Sequence, residues 1–122
     1  MTLARWIFWI AGVYGLAVIL PQYFLLEQIS RDTPPAVTHV EYFYGFVGVA
    51  AAWQIAFLLI GHDPVRNRPL MPVTVLEKVS FGVPVALLYS RGEVPGNVFV
   101  FGMIDLLLAV LFVMAWWKTP SR

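Results

Sequence analysis

Five polar or charged side chains interrupt the long apolar stretches of this 122-residue chain, and their types suggest chemistry in an apolar environment: Glu41, Gln54, Glu77, Lys78 and Asp105. A charged group at the centre of a bilayer costs about 3 kcal/mol or more unless it is paired or hydrated. A carboxylate kept at that depth is therefore a candidate for binding a proton or a ligand. Glu77 and Asp105 are the main candidates.

Asp105 shares a predicted helix face with Gly102 and Ala109, which lie three and four residues away. Small residues mark the surfaces where membrane helices pack, so we expect Asp105 to point into a helix bundle near the bilayer centre. Two interpretations stay open. Asp105 is either a hydrogen-bond partner of Gln54 or of an aromatic side chain on a facing helix, or a group that binds a ligand or a proton.

Glu77 and Lys78 are adjacent, which separates them by about 100° around a helix, so we do not expect them to pair with each other. For Glu77 the alternatives are a salt bridge from an arginine at the inner rim and a polar pocket shared with Gln54, which lies at a similar depth. Helix side chains lean toward the N-terminus of the helix. We therefore expect Lys78 to snorkel to the cytoplasmic headgroups, as a contact for lipid or a partner.

Two further sets of polar residues flank the second apolar stretch. His39, Glu41 and Tyr44 gather at its start and predict a polar mouth at the outer rim, although Glu41 also suits the helix dipole there. Arg66 and Arg68 follow its end, between prolines, and predict a contact with lipid phosphates or with the acidic groups of a partner. Their alternative role is only to orient the chain in the membrane.

Motifs for enzymatic chemistry are absent from the sequence. His39 and Glu41 at a spacing of two do not form a metal-binding signature, and no other cluster of histidines or carboxylates supplies further ligands. The chain also lacks a phosphate-binding glycine-rich loop and a nucleophilic serine elbow. We therefore predict no catalytic residue, no metal and no cofactor.

The elements that must position these residues are four apolar stretches, at about 6–26, 40–61, 71–89 and 98–117. As helices they are each about 28–33 Å long, which matches the hydrocarbon core of a bilayer. Their connections are short and contain proline or glycine, which is typical of antiparallel neighbours. The sequence thus predicts an all-α, up-down four-helix bundle that spans the membrane as one domain, 1–122.

Composition excludes several other classes of protein. Apolar residues make up 60% of the chain and charged residues 12%, against about 25% charged in soluble domains. The formal charge of +1 gives no basic field for nucleic acid, and the lack of cysteine excludes disulfides. Basic residues concentrate on the side of both termini, which the positive-inside rule places in the cytoplasm: Arg5, Arg66, Arg68, Lys118 and Arg122.

Three sequence segments carry a resemblance to known proteins: His39-x-Glu41-Tyr-Phe-Tyr-Gly45, Asp63-Pro-Val-Arg66-x-Arg68-Pro, and Glu77-Lys78. With the four helices, they resemble a group of small bacterial membrane proteins that is DoxX-like in overall architecture. The resemblance implies a multi-pass protein of the bacterial inner membrane, of a kind sometimes associated with quinone-linked redox complexes. It implies no catalytic residue. Glu77, Phe81, Pro84 and Asp105 also give a distant similarity to sterol-binding and sterol-isomerising four-helix proteins.

These features favour a non-enzymatic membrane protein that binds a lipophilic small molecule or serves as an accessory subunit of a membrane complex. Its expected partners are the lipid bilayer, a lipophile such as a quinone, and a membrane protein or a second copy of the chain, but not nucleic acid. One alternative is a small transporter that couples a buried carboxylate, Glu77 or Asp105, to proton movement. Another is a quinone- or sterol-type membrane enzyme.

Overall fold

The computed structural model describes residues 2–33 and 35–121, and its regular structure within those ranges is entirely helical. Five α-helices follow one another: α1 (Leu3–Ile19), α2 (Leu26–Asp32), α3 (Val40–His62), α4 (Met71–Ser90) and α5 (Gly96–Lys118). Short 3-10 helices at Leu20–Phe24 and Arg68–Leu70 extend α1 at its end and α4 at its start.

Four segments are long and apolar enough to cross a membrane, which confirms the predicted number of spans: Leu3–Phe24, Val40–His62, Arg68–Ser90 and Gly96–Lys118. The orientation of the termini stays a prediction. The structure adds one element, because α2 lies in what the sequence suggested was a loop. It also begins the third span three residues earlier than predicted, at Arg68.

Proline decides where α1 ends. Pro21 has no N–H to donate to the carbonyl of Ala17, and its ring crowds that turn, so the chain leaves the α-helix after Ile19. The side-chain amide of Gln22 donates a 3.3 Å hydrogen bond to the carbonyl of Val18, which satisfies one of the acceptors at the helix end.

The four spans pack as two helix pairs, α1 with α3 and α4 with α5, and α1 also contacts α5. At the end of the bundle where both termini lie, Phe8, Phe57 and Phe112 form a buried aromatic core, and the Phe8 and Phe112 rings stack at 4.3 Å. At the other end the buried cluster comes from α1 and α3 alone. Since lipid is as apolar as leucine, side-chain packing and polar contacts between helices hold such pairs together.

Glycine allows the close approach within each pair. A Cβ atom added at Gly12 would lie 2.8 Å from the backbone carbonyl oxygen of Gln54 on α3, and one added at Gly102 would lie 2.6 Å from a methyl carbon of Val85 on α4. Such contacts leave no room for a larger residue. They therefore fix where α1 meets α3 and where α5 meets α4.

Candidate functional site

Three charged side chains meet between α4 and α5, and we call them the ion cluster: Glu77, Lys78 and Asp105. The Lys78 ammonium donates a 3.4 Å hydrogen bond to Asp105 Oδ1, and its Nζ lies 3.7 Å from Glu77 Oε2. The Lys78 side chain is 5% exposed and the two carboxylate side chains are each 18% exposed. The ammonium also lies 5.1 Å from the centre of the Phe57 ring on α3, within the range of a cation–π contact.

The ion cluster lies near the middle of the membrane-spanning segments. Val79 is the middle residue of the span Arg68–Ser90, and Leu107 is the middle residue of Gly96–Lys118. At 1.5 Å per residue, Lys78 is about 1.5 Å and Asp105 about 3 Å from those midpoints along the helix axes. Both residues therefore lie within one helical turn of the middle of their spans.

The expectation that Lys78 snorkels to the headgroups is wrong. Since the third span begins at Arg68, Lys78 lies deeper than its distance from Met71 suggests. Asp105 offers it a counter-ion on the facing helix, and the side chain is buried. The expectation that Glu77 and Lys78 do not pair is also wrong, because the long lysine chain brings its ammonium within 3.7 Å of the neighbouring carboxylate.

The charges of the ion cluster do not balance when both carboxyl groups are ionised. Two carboxylates then surround one ammonium, which leaves one negative charge in excess. Asp105 accepts the hydrogen bond of Lys78, whereas Glu77 Oε2 is buried and has no hydrogen-bond partner among the described residues. An excess buried charge is costly, and a proton on the Glu77 carboxyl would remove it without breaking the hydrogen bond between Lys78 and Asp105.

Gln54 lies outside the ion cluster, at the contact of α3 with α1. It is 2% exposed, its amide nitrogen donates a 2.8 Å hydrogen bond to the carbonyl of Ala50, and the amide packs against Gly15. Its Oε1 atom has no hydrogen-bond partner in the described part of the chain. Of the polar residues singled out from the sequence, Glu77 and Asp105 therefore meet in the ion cluster, whereas Gln54 lies apart from them.

The predicted polar mouth separates into two contacts. His39 Nδ1 lies 3.2 Å from Glu41 Oε1, and both side chains are exposed at the start of α3. Tyr44 instead stacks on Tyr23, with ring centres 6.0 Å apart. The described residues contain no group of three or more metal-ligating side chains at this rim or elsewhere.

Arg68 has a structural role that the sequence did not predict. Its Nε atom donates hydrogen bonds of 3.2 Å and 2.8 Å to the carbonyls of Trp116 and Thr119, and its guanidinium lies 4.6 Å from the centre of the Trp116 ring. Arginine thereby caps the carboxyl end of α5, where the helix dipole favours a cation. Arg68 therefore caps α5 in place of the expected contact with lipid or a partner. For Arg66 that contact stays a prediction.

An open groove on α1 has a volume of about 600 Å³, and sequence reasoning missed it. We call it the α1 groove, and its lining residues are Trp6, Trp9, Ile10, Val13 and Tyr14. Their spacing of three and four residues was the available signal, because it places them on one helix face. The phenol of Tyr14 lies within electrostatic range of Asp105.

Comparison of the chain with protein-family models, with curated proteins and with solved structures gave no match. The geometry of the ion cluster and of the α1 groove is therefore the basis of the functional argument.

Proposed function

We propose that this chain is a small proton-coupled integral membrane protein, and that the ion cluster is where the proton binds. The observation that carries the proposal is the arrangement of two carboxylates around one buried ammonium near the middle of the spans. A link between α4 and α5 alone needs only one acid and one base. The additional acid has a role when its charge is neutralised by a cation that binds and is released.

The excess negative charge supports exchange between two kinds of cation. Without a bound proton the cluster carries a charge of −1 in an apolar slab, which is costly. A proton removes that cost, and a cationic solute of the right size does the same. Because both compete for the same carboxylates, uptake of one favours release of the other, which is the physical basis of a proton-coupled transporter.

Proton exchange can be tested in proteoliposomes that enclose a pH-sensitive dye. After a pH gradient is imposed, addition of tetraphenylphosphonium as the cationic probe is expected to release protons through the native protein. The Glu77→Gln and Asp105→Asn variants should lose this response. Glu41→Gln is the matched control, because Glu41 is exposed at the rim and outside the ion cluster. Equal responses from the native protein and both cluster variants would refute the proposal.

A second candidate function is the binding of a lipophilic molecule, alone or as an accessory subunit, and the α1 groove favours it. Its volume of about 600 Å³ and its walls of tryptophan and aliphatic side chains suit an apolar ring or chain. Tyr14 adds a hydroxyl that can hydrogen-bond a carbonyl oxygen. The DoxX-like resemblance, which remains a proposal, suggests a quinone as the ligand and the bacterial inner membrane as the location.

Quinone binding can be measured by the quenching of tryptophan fluorescence with a short-chain ubiquinone in detergent. Trp6 and Trp9 line the α1 groove and supply the signal. We expect saturable quenching, weakened in Val13→Phe, which narrows the groove, and unchanged in Val49→Phe, a matched change at an exposed position of α3. Quenching that rises linearly and equally in all three proteins indicates partition into the micelle and contradicts this function.

A further inference from the structure

We propose that Glu77 is the carboxyl group that takes up and releases the proton, and that Asp105 stays ionised as the permanent counter-ion of Lys78. The inference rests on the proposed proton exchange and names its acceptor. The step is a simple protonation: one proton binds the Glu77 carboxylate and a carboxylic acid forms, with no other bond made or broken.

The hydrogen bonds of the two carboxylates differ, and this difference carries the inference. Asp105 Oδ1 accepts the hydrogen bond of the ammonium across the α4–α5 interface, whereas Glu77 Oε2 lies farther from the same ammonium and accepts none from the described residues. A proton on Asp105 would weaken the existing bond and leave Glu77 as a more distant counter-ion. A proton on Glu77 keeps that bond and removes the excess negative charge of the ion cluster.

Side-chain length and attachment support the same assignment. Asp105 is short and is held on α5 opposite Lys78, so its oxygens have little freedom to move. Glu77 lies on the same helix as Lys78, so its ion pair with the ammonium does not join α4 to α5. The link between α4 and α5 through Lys78 and Asp105 therefore persists whether or not the proton is bound.

Among residues 2–33 and 35–121, the other helices bring no competing charge to the ion cluster. From α3 the contact is the ring of Phe57, since the titratable residues of that helix lie near its ends: Glu41, Tyr42, Tyr44 and His62. From α1 the titratable group in electrostatic range is the phenol of Tyr14, toward Asp105. Arg5 and Lys118 lie near the ends of α1 and α5, about two and three turns from the midpoints of their spans.

Infrared difference spectroscopy on the full chain in lipid can identify the acceptor. Spectra at stepped pH report a carboxylic acid C=O band that grows as the proton binds and shifts in D₂O. Two samples are compared, one with ¹³C in the glutamate carboxyl carbons and one with ¹³C in the aspartate carboxyl carbons. We expect the glutamate label alone to shift the band. The Glu77→Gln variant should abolish it, whereas the matched Glu41→Gln variant should retain it.

The outcomes separate this inference from the function on which it rests. A band that shifts with the aspartate label and is lost in Asp105→Asn assigns the proton to Asp105, which overturns the inference and leaves proton exchange intact. A glutamate-labelled spectrum that is the same in the native protein and in Glu77→Gln overturns the inference too, because its bands then belong to the other three glutamates. If neither Glu77→Gln nor Asp105→Asn removes a titrating band of the native protein, proton exchange at the ion cluster is refuted as well.

Discussion

The contact between Lys78 and Asp105 gives a prediction that can be tested as an energy. Lys78→Met removes the ammonium while keeping a long unbranched side chain, and Asp105→Asn removes the negative charge while keeping the shape of the side chain. Each single change leaves at least one buried charge with a poorer partner. The double variant removes both members of the pair. A double-mutant cycle built from the native protein and these three variants isolates the coupling between the two side chains.

The expected magnitude follows from the distance and the burial. Coulomb's law at 3.4 Å, with an effective dielectric constant of about 20, gives about 5 kcal/mol of attraction, which is a ceiling. Glu77 lowers the coupling, because it remains beside Lys78 on α4 when α4 and α5 separate. We therefore expect each single change to cost about 3 kcal/mol or more, and a coupling energy of about 3 kcal/mol.

Unfolding in mixed micelles of lipid-like detergent and increasing SDS, followed by tryptophan fluorescence, measures these free energies. His39 and Glu41 supply a control cycle, since their side chains are also close, at 3.2 Å, but exposed, and we expect a coupling below about 1 kcal/mol there. Ordinary hydrogen bonds between membrane helices average about 0.6 kcal/mol. A Lys78–Asp105 coupling energy at or below that value would show that this pair does not link α4 and α5 strongly.

Two further predictions concern packing and capping. Gly15→Ala places a methyl group into the amide of Gln54 and should destabilise the fold by about 1–3 kcal/mol in the same unfolding assay. The control is Gly45→Ala, which should be neutral or slightly stabilising because a Cβ atom there meets nothing within 4 Å. Equal effects at both positions would contradict the close α1–α3 contact. Arg68→Ala should lower the free energy of unfolding by about 1.5–3 kcal/mol because it removes the cap of α5. The matched Arg66→Ala change should lower it by less than about 0.5 kcal/mol. An Arg68→Ala variant as stable as the native protein would exclude the cap.

The spans could be predicted from sequence because a bilayer imposes a length and a composition on each helix, and both are visible without tertiary contacts. Their ends were less predictable. The turn at Arg68–Leu70 extends the third span because the arginine is held by the end of α5, a contact between residues 48 and 51 positions apart. The seven-residue helix α2 has too few apolar residues to give a clear periodic signal.

The candidate site was partly predictable for a similar reason. Glu77 and Asp105 could be identified as candidates because a carboxylate in an apolar stretch is costly wherever the helices pack. Their assembly around Lys78 was not foreseen, because distance from a helix end suggests snorkelling when the facing helix is unknown. Gln54 was expected beside Glu77 or Asp105 for a similar reason. The sequence shows its position along the helix but not the direction in which its side chain points.

By itself the sequence determined that this chain has four helices long and apolar enough to span a membrane, with two carboxyl groups and one amine inside the apolar stretches. Only the tertiary structure decided that these three groups meet. The antiparallel register of α4 and α5, fixed by the close contact of Gly102 with Val85, brings Asp105 opposite Lys78 across 27 residues of sequence. Helix periodicity fixes which residues share a face, but the register between two helices depends on side-chain packing that no single helix contains.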